Sequence, residues 1–582
     1  MKFHNLRALL ARSLVAIRSR PLARVAVAIL VGFVAGACVT AMTNAAEFMH
    51  VALYGIPFDQ RLSAQARVSL PAALLALCGG GLIMGLVDLW RKRRGAKPTI
   101  DPVEANALHG GRMPLRDGFL VVGQTLLSNG VGASVGLEAG YAQIGAALAS
   151  RVGVSLQLRR QDLRTLLGAG AAGAMAAAFG APLTGAFYAF ELVIGAYSLG
   201  NAAPVLAAAV AGRLMVHVLG GAPYSIEAPP VPPIGVEQYI ALVGLGIVSA
   251  LIGVGAMRTA AVVERGFRAG PLPSWARPVL GGAIVAMLAA LSPQTLGAGH
   301  GALLLDSGRA LSATALVALI VLKLTGCLVS LASGFRGGLF FASLYIGSLI
   351  GKLYAIVVTA AAPGVHLSAT ACLFAGMATL GSAIIGAPLT MAFLVLESSG
   401  DVAVAGPVLA GCIASQLMTR AIFGYSFSTW RLHLRGEDIS GAHDVGWVRT
   451  ILVAGLMDTK LRTMPAKASL AAFRLAHPLG SSHYVALVDG EGRYKGVVST
   501  AEAHAAAGEN EPVAKLARLT DVTLRPDDNI REALDAFEKS GSESLVVTDA
   551  DGVVVGILGE AYAARRYAAA VDRAAKGVLG GV

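Results

Sequence analysis

The sequence predicts an all-α polytopic membrane protein built from two related halves, followed by a small α/β pair outside the bilayer. Three observations carry that prediction. The chain has 582 residues, 55% hydrophobic and only 14% charged, against about 25% charged in a typical soluble domain. A twelve-residue segment, GAPLTGAFYAFE at 180–191, returns as GAPLTMAFLVLE at 386–397. Near residue 436 the composition changes, and from there on charges come every few residues.

The spans follow from length. A bilayer-crossing helix needs roughly 20 mostly apolar residues, and uncharged stretches run over 25–46, 68–87, 165–190, 192–212, 238–257, 278–305 and 353–396. The last is long enough for two passes or for broken helices. A soluble protein of this composition would have too few charges to cover its surface.

The first stretch follows a basic segment, 1–24, with Lys2, Arg7, Arg12, Arg18, Arg20 and Arg24. It is too long for the core of an export signal and shows no small-residue cleavage site, so it reads as a retained span. Arg91, Lys92, Arg93, Arg94 and Lys97 follow the second span, and Arg431 and Arg435 follow the last. Excess Lys and Arg mark the cytoplasmic side, so both termini are expected there, in a cell (inner) membrane. These clusters are short and sit at membrane edges, which argues against nucleic acid as a partner. Cys38, Cys78, Cys327, Cys372 and Cys412 all lie in apolar runs without a C-x-x-C pair, so no metal or redox site is expected.

Two patterns look catalytic. GASVG, Gly132 to Gly136, has the form of a nucleophile elbow with Ser134, and GAGAAG, Gly168 to Gly173, that of a dinucleotide loop. Each needs a strand before it in an α/β sheet; here both sit in apolar helical runs, where small residues serve close helix packing. No Walker loop or H-E-x-x-H is present. The chain is not read as an enzyme.

One carboxylate stands out. Glu138 lies in GASVGLEAGYAQIG, with no other charge from Gly118 to Ser150. An ionisable residue within the bilayer is a functional candidate by default. Gly136, Gly140 and Gly145 surround it, so main-chain amides can approach an ion there, and a helix starting at this point would add its positive end. Such a place binds anions, and the carboxylate would act as a tethered one. Glu191 and Glu397 occupy matching places in the two repeats and read as carboxylates satisfied by packing.

Around Glu138 the sequence resembles the CLC family of chloride channels and proton-coupled anion antiporters. The family's gating segment G-R-E-G-P, then Q-I-G, appears as Gly136-Leu137-Glu138-Ala139-Gly140, then Gln143-Ile144-Gly145. AAAFGAPLTGAFYAFE (Ala176 to Glu191) is similar to the next family segment. SGFRGGLFFA (Ser333 to Ala342) resembles the G-G-x-F-x-P loop, with Ala342 in place of proline. The resemblance covers about 25–437. It implies a homodimer in the lipid bilayer, inverted repeats, and one anion pathway per subunit where helix N-termini converge on chloride or a similar anion. Glu138 would be the external gate. Gly136, Leu137, Ala139, Gly140, Gly338, Leu339, Phe340 and Phe341 would line the anion sites, with Thr99 from a loosely matching inner loop, Lys97 to Pro102. Asp101 would then sit awkwardly close to the path, with Arg336 and Lys97 able to offset it.

Two departures bear on mechanism. The antiporters' inner, proton-handling glutamate falls on Leu192, which carries no proton. Their inner tyrosine falls on Ser428. The expectation is an anion channel or loosely proton-coupled conduit; the alternative is a proton-coupled chloride antiporter with a non-standard proton route. A divalent-cation transporter would need carboxylate or carbonyl rings, and the membrane segments hold few acids.

The tail, 438–582, contains two similar halves, each a helix, a short strand (Tyr484–Val488, Ser544–Val547), a turn and a second strand. It resembles a tandem pair of CBS domains, which often sense adenine nucleotides. The family's G-h-h-S/T-x-x-D step appears as Gly496-Val497-Val498-Ser499 with Glu502, making Ser499 and Glu502 the nucleotide candidates. The second half has Gly559 and Tyr562 at those places. A structural or dimerising role is expected, and no cofactor is required.

Overall fold

The computed structural model describes residues 20–58, 60–221, 234–362, 364–433 and 451–567. Two compact units divide the chain, Met1–Asp444 and Val445–Val582.

The first unit is helical throughout. Its first half comprises α1 (Pro21–Tyr54), α2 (Leu70–Arg93), α3 (Pro102–Ala107), α4 (Leu115–Gly130), α5 (Glu138–Ser155), α6 (Arg160–Phe179), α7 (Pro182–Tyr188) with a π-helical continuation Ala189–Ile194, and α8 (Leu199–Val218). The second half repeats the series as α9 (Val236–Ala269), α10 (Arg277–Leu291), α11 (His300–Ser307), α12 (Ala313–Ser333), α13 (Phe340–Ala361), α14 (Ala369–Ile385), α15 (Pro388–Ser399) and α16 (Val402–Ile422). A short α17 (Phe427–His433) follows. Seven helices among the described residues are long and apolar enough to cross a membrane. The apolar run 278–305 holds a break, between α10 and α11, and 353–396 holds the end of α13 with α14 and most of α15.

The duplicated GAP has the same local role in both halves. Gly180 and Gly386 take left-handed φ of 65° and 86° and end α6 and α14. Ala181 and Ala387 are extended, as residues before proline must be. Pro182 and Pro388 then open α7 and α15 at a position where a missing N–H loses nothing. Beyond them, α8 and α16 each carry an internal proline, Pro204 and Pro407, at the same distance from the helix start.

The halves meet where equivalent residues touch. Gly136 and Gly338 exchange both main-chain hydrogen bonds, N–H to O at 2.9 and 3.0 Å, as an antiparallel bridge. Equivalent residues paired antiparallel place a local two-fold axis through the bridge, as inverted repeats require. Small residues allow the tight packing inside each half: Gly145 lies on the Gly170 main chain, and Gly347 on that of Gly376.

The second unit holds two βα modules. β1 (Thr463–Pro465), α18 (Leu470–Ala476), β2 (Tyr484–Val488), β3 (Tyr494–Ser499) and α19 (Thr500–Ala505) form the first. Helix α20 (Ile530–Ser540) and the strands β4 (Ser544–Thr548) and β5 (Val554–Gly559) belong to the second. β1 pairs parallel with β2, while β2–β3 and β4–β5 are antiparallel hairpins. Both hairpins turn on an aspartate: Asp489 Oδ1 accepts from Glu491 and Arg493 amides, and Asp549 Oδ1 from Asp551 and Val553 amides, all at 2.9–3.0 Å. The two turns then bond each other, Tyr494 N–H to Gly552 O at 3.0 Å.

Candidate functional site

The bridge brings two helix starts together. α5 begins at Glu138, two residues after Gly136, and α13 begins at Phe340, two residues after Gly338. The first amides of a helix lack internal partners and carry its positive end. Several helix starts here are closed by a side chain. Asp101, Ser198, Ser312, Ser368 and Asp401 cap α3, α8, α12, α14 and α16. The two repeated helices are capped across the symmetry. Glu397 accepts from Leu183 and Thr184 amides and the Thr184 hydroxyl, all at 2.8 Å, closing α7. Glu191 does the same for α15 through Leu389, Thr390 and its hydroxyl, at 3.0, 2.8 and 2.6 Å. By contrast, Leu137 and Leu339, ahead of α5 and α13, supply no side-chain cap.

Into this uncapped junction goes Glu138. It is 4% exposed, and neither carboxylate oxygen makes a hydrogen bond. The amides of Glu138 itself and of Phe341 and the Lys323 ammonium act on it electrostatically without closing that geometry. The two bridge glycines form its seat: a Cβ on Gly136 would lie 1.8 Å from Glu138 Oε2, and one on Gly338 2.9 Å from the same atom. A buried carboxylate faced by amides that close no ordinary hydrogen bond on it is one that another anion can replace.

The other expected residues fall into three groups. Gly136, Gly338 and Phe341 meet the carboxylate through main chain, while Leu137 belongs to a cluster with Val39, Met42 and Tyr141. Gly140 has a packing role, since a Cβ there would lie 2.3 Å from Thr125 Oγ1 on α4. Phe340 packs tilted against Phe179 at 4.7 Å, and Phe341 stacks on His300 at 3.6 Å between ring centroids.

Thr99 lies in the loop before α3. It is 3% exposed and accepts a hydrogen bond from Arg336 Nη2. Its neighbour Ile100 is tied to α5, with Gln143 Nε2 donating to Ile100 O at 2.8 Å. Asp101 Oδ1 accepts the Glu104 amide at 2.8 Å as the cap of α3. Leu192 packs in an apolar cluster with Ile100, Leu115 and Val193.

The expected inner position falls on α17. Ser428 is exposed on α17, whereas Phe427 beside it packs against the cluster of Leu339 and Phe340 and lines an apolar cavity with Leu339, Ala342 and Ser343. Neighbours on a helix point about 100° apart, so one of the two can pack inward while the other stays exposed, and the loop before α17 hides that register in sequence. In the second unit, Ser499 precedes α19 without capping it, and Glu502 is paired with Arg518 at 2.8 Å.

Lys323 escaped the sequence reading. It is 1% exposed on α12 and donates to Thr295 O at 3.2 Å and Gly297 O at 2.7 Å. Gly297 N–H in turn donates to Gly132 O at 3.1 Å, in the loop leading to Glu138. The signal was available: a lone lysine in an apolar run satisfies the same criterion that singled out Glu138.

Comparison with known proteins adds the following. A family model described as voltage gated chloride channel matches residues 79–420, and a CBS domain model matches 513–567. The voltage-gated ClC-type chloride channels ClcB of Citrobacter koseri and Salmonella typhimurium are each 27% identical, over 407 and 415 residues, covering 69% of this chain and 96% of theirs. A slow cyanobacterial Cl-/H+ antiporter structure superposes with a TM-score of 0.61 at 22% identity, over 71% of this chain and 97% of that one. A eukaryotic CLC transporter structure gives 0.60 at 16% identity, over 93% and 98%.

Proposed function

This chain belongs to the voltage gated chloride channel family of anion-transporting membrane proteins, and we propose that it passes chloride and similar anions through the pocket at Glu138, as a channel or loosely proton-coupled conduit. One observation carries the reading: α5 and α13 converge with uncapped N-termini on a buried carboxylate that makes no hydrogen bond. Glu138 is the gate. Ionised, it fills the anion position over Gly136 and Gly338; protonated or displaced, it leaves that position to a mobile anion. The amides of Ala139, Gly140, Phe340 and Phe341 and the hydroxyl of Thr99 are the anion ligands. Phe427, rather than Ser428, is the apolar residue at the inner end.

Loose coupling rests on Leu192 and Glu191. The leucine packs against an apolar cluster, and Glu191 is committed to the start of α15. The second reading, a proton-coupled antiporter, is favoured by the name of the cyanobacterial neighbour, and needs a proton route through another group. Reversal potentials under crossed chloride and pH gradients separate the two. A channel reverses at the chloride potential whatever the pH gradient; an antiporter's reversal moves with pH at a fixed ratio.

We place the chain in the cell's inner membrane as a homodimer with both termini cytoplasmic. Exposed Val210 and Leu214 on α8 and Ile413 and Leu417 on α16 offer an apolar face, and cross-linking of cysteines placed there tests it. Adenine nucleotide at the CBS pair would have to displace the Glu502–Arg518 ion pair, so we assign that pair a structural role. Chloride flux unchanged by AMP and ATP is the expected result.

A further inference from the structure

Arg336 precedes Gly338 by two residues, and α4 grips it at both ends. Its amide donates to Ser128 Oγ at 3.0 Å, and its Nη1 to Gln124 Oε1 at 3.0 Å. Ser128 Oγ in turn donates to the main-chain oxygen of Gln124 at 2.8 Å, so one turn of helix forms the clamp. The remaining arm, Nη2, reaches Thr99. Thus a single side chain spans from the gate loop to the other end of the site.

The polarity of that last bond has a chemical consequence. A guanidinium has donors only, so Thr99 Oγ1 must be the acceptor. The threonine's own proton is then directed elsewhere, and among the described residues no acceptor takes it. A hydroxyl free to turn would present either a lone pair or a proton to a passing ion. One whose lone pair faces an arginine presents its proton, the polarity an anion needs.

We infer that Arg336 is the positioning residue that fixes Thr99 as a donor toward the permeating anion and sets anion selectivity there with its own permanent charge. The inference deepens the proposed reading, since it requires that anions pass Thr99. A strong positive field favours small, tightly charged anions over large, easily dehydrated ones, so chloride is preferred over thiocyanate. Lysine keeps the charge but lacks the planar fork that bonds Gln124 and Thr99 together.

The test is chloride and thiocyanate binding to the purified full-length protein by calorimetry, with anion flux from proteoliposomes. Arg336→Gln is expected to weaken chloride binding roughly tenfold, the scale of one charge-assisted hydrogen bond, and thiocyanate binding much less. Arg336→Lys should fall between. In a Thr99→Val background, Arg336→Gln should have at most half that logarithmic effect, which a merely structural strut would not show. Unchanged chloride affinity in folded Arg336→Gln, or an undiminished loss in the Thr99→Val background, overturns the inference. If Arg336→Gln does not fold, Thr99→Val alone decides: wild-type chloride affinity there overturns it. Glu138→Gln in the same assays isolates the gate. If its flux keeps the wild-type pH response, the gate reading fails whatever Arg336 does; if that response is lost while Arg336→Gln binds normally, only this inference fails.

Discussion

At Gly136 one methyl group would reach the gate. Because its Cβ would fall 1.8 Å from Glu138 Oε2, Gly136→Ala is expected to push the carboxylate out of its seat. Chloride efflux at neutral pH should then approach that of Glu138→Ala; efflux held at the wild-type level would show the seat is elsewhere. Lys323 is the matching test of the positive side. Lys323→Met leaves Thr295 O and Gly297 O buried without a donor, at about 1–3 kcal/mol each, so thermal unfolding in detergent should shift clearly downward. Glu138 was legible because a charge in a long apolar run has to be explained, and Lys323 was legible by the same logic. What sequence could not supply is the packing of Glu138 between two glycines 202 positions apart, a contact that only tertiary folding creates.

Helices α7 and α15 show how a repeat becomes structure. Each is short, each opens at Pro after an αL glycine, and each is closed by the other's glutamate. Glu397→Ala would strip two amides and a hydroxyl of a charged acceptor in the interior. At about 1.5–3 kcal/mol for a bond to a charged group, the loss should exceed 2 kcal/mol in unfolding free energy, while Glu397→Gln recovers part of it. Glu191→Gln should leave the proton-to-anion ratio unchanged; a changed ratio would place Glu191 on a proton route. The duplicated GAPLT was plain in the sequence, as was the role of these glutamates in packing. The swap itself was not, because nothing in one repeat says which copy its carboxylate serves. At the inner position the sequence pointed to Ser428, which is exposed, while its neighbour Phe427 packs beside Leu339.

Over the whole molecule, charge spacing located α1, α2, α8 and α9 but not α12 and α16, and only the end of α13, because Lys323, Arg336, Lys352, Asp401 and Arg420 interrupt or border those runs; composition put the division near residue 436, against a unit boundary between Asp444 and Val445. In the second unit, hydrogen bonds from the Arg493 and Glu491 amides hold the Asp489 carboxyl below its usual range. A folded-state value below the unfolded one gives stability that is present at neutral pH and lost only as pH falls through that lowered value. Acidification to the mildly acid range should therefore leave the contribution of this turn in place, and thermal unfolding of wild type beside Asp489→Asn at neutral and mildly acid pH, with an equal difference at both, checks it. The gate itself is decided by chloride efflux from proteoliposomes across a pH series, wild type beside Glu138→Gln. Wild-type efflux should rise as pH falls, and the variant should run fast and flat at every pH. A Glu138→Gln protein that still follows pH would contradict a gate made of that carboxylate.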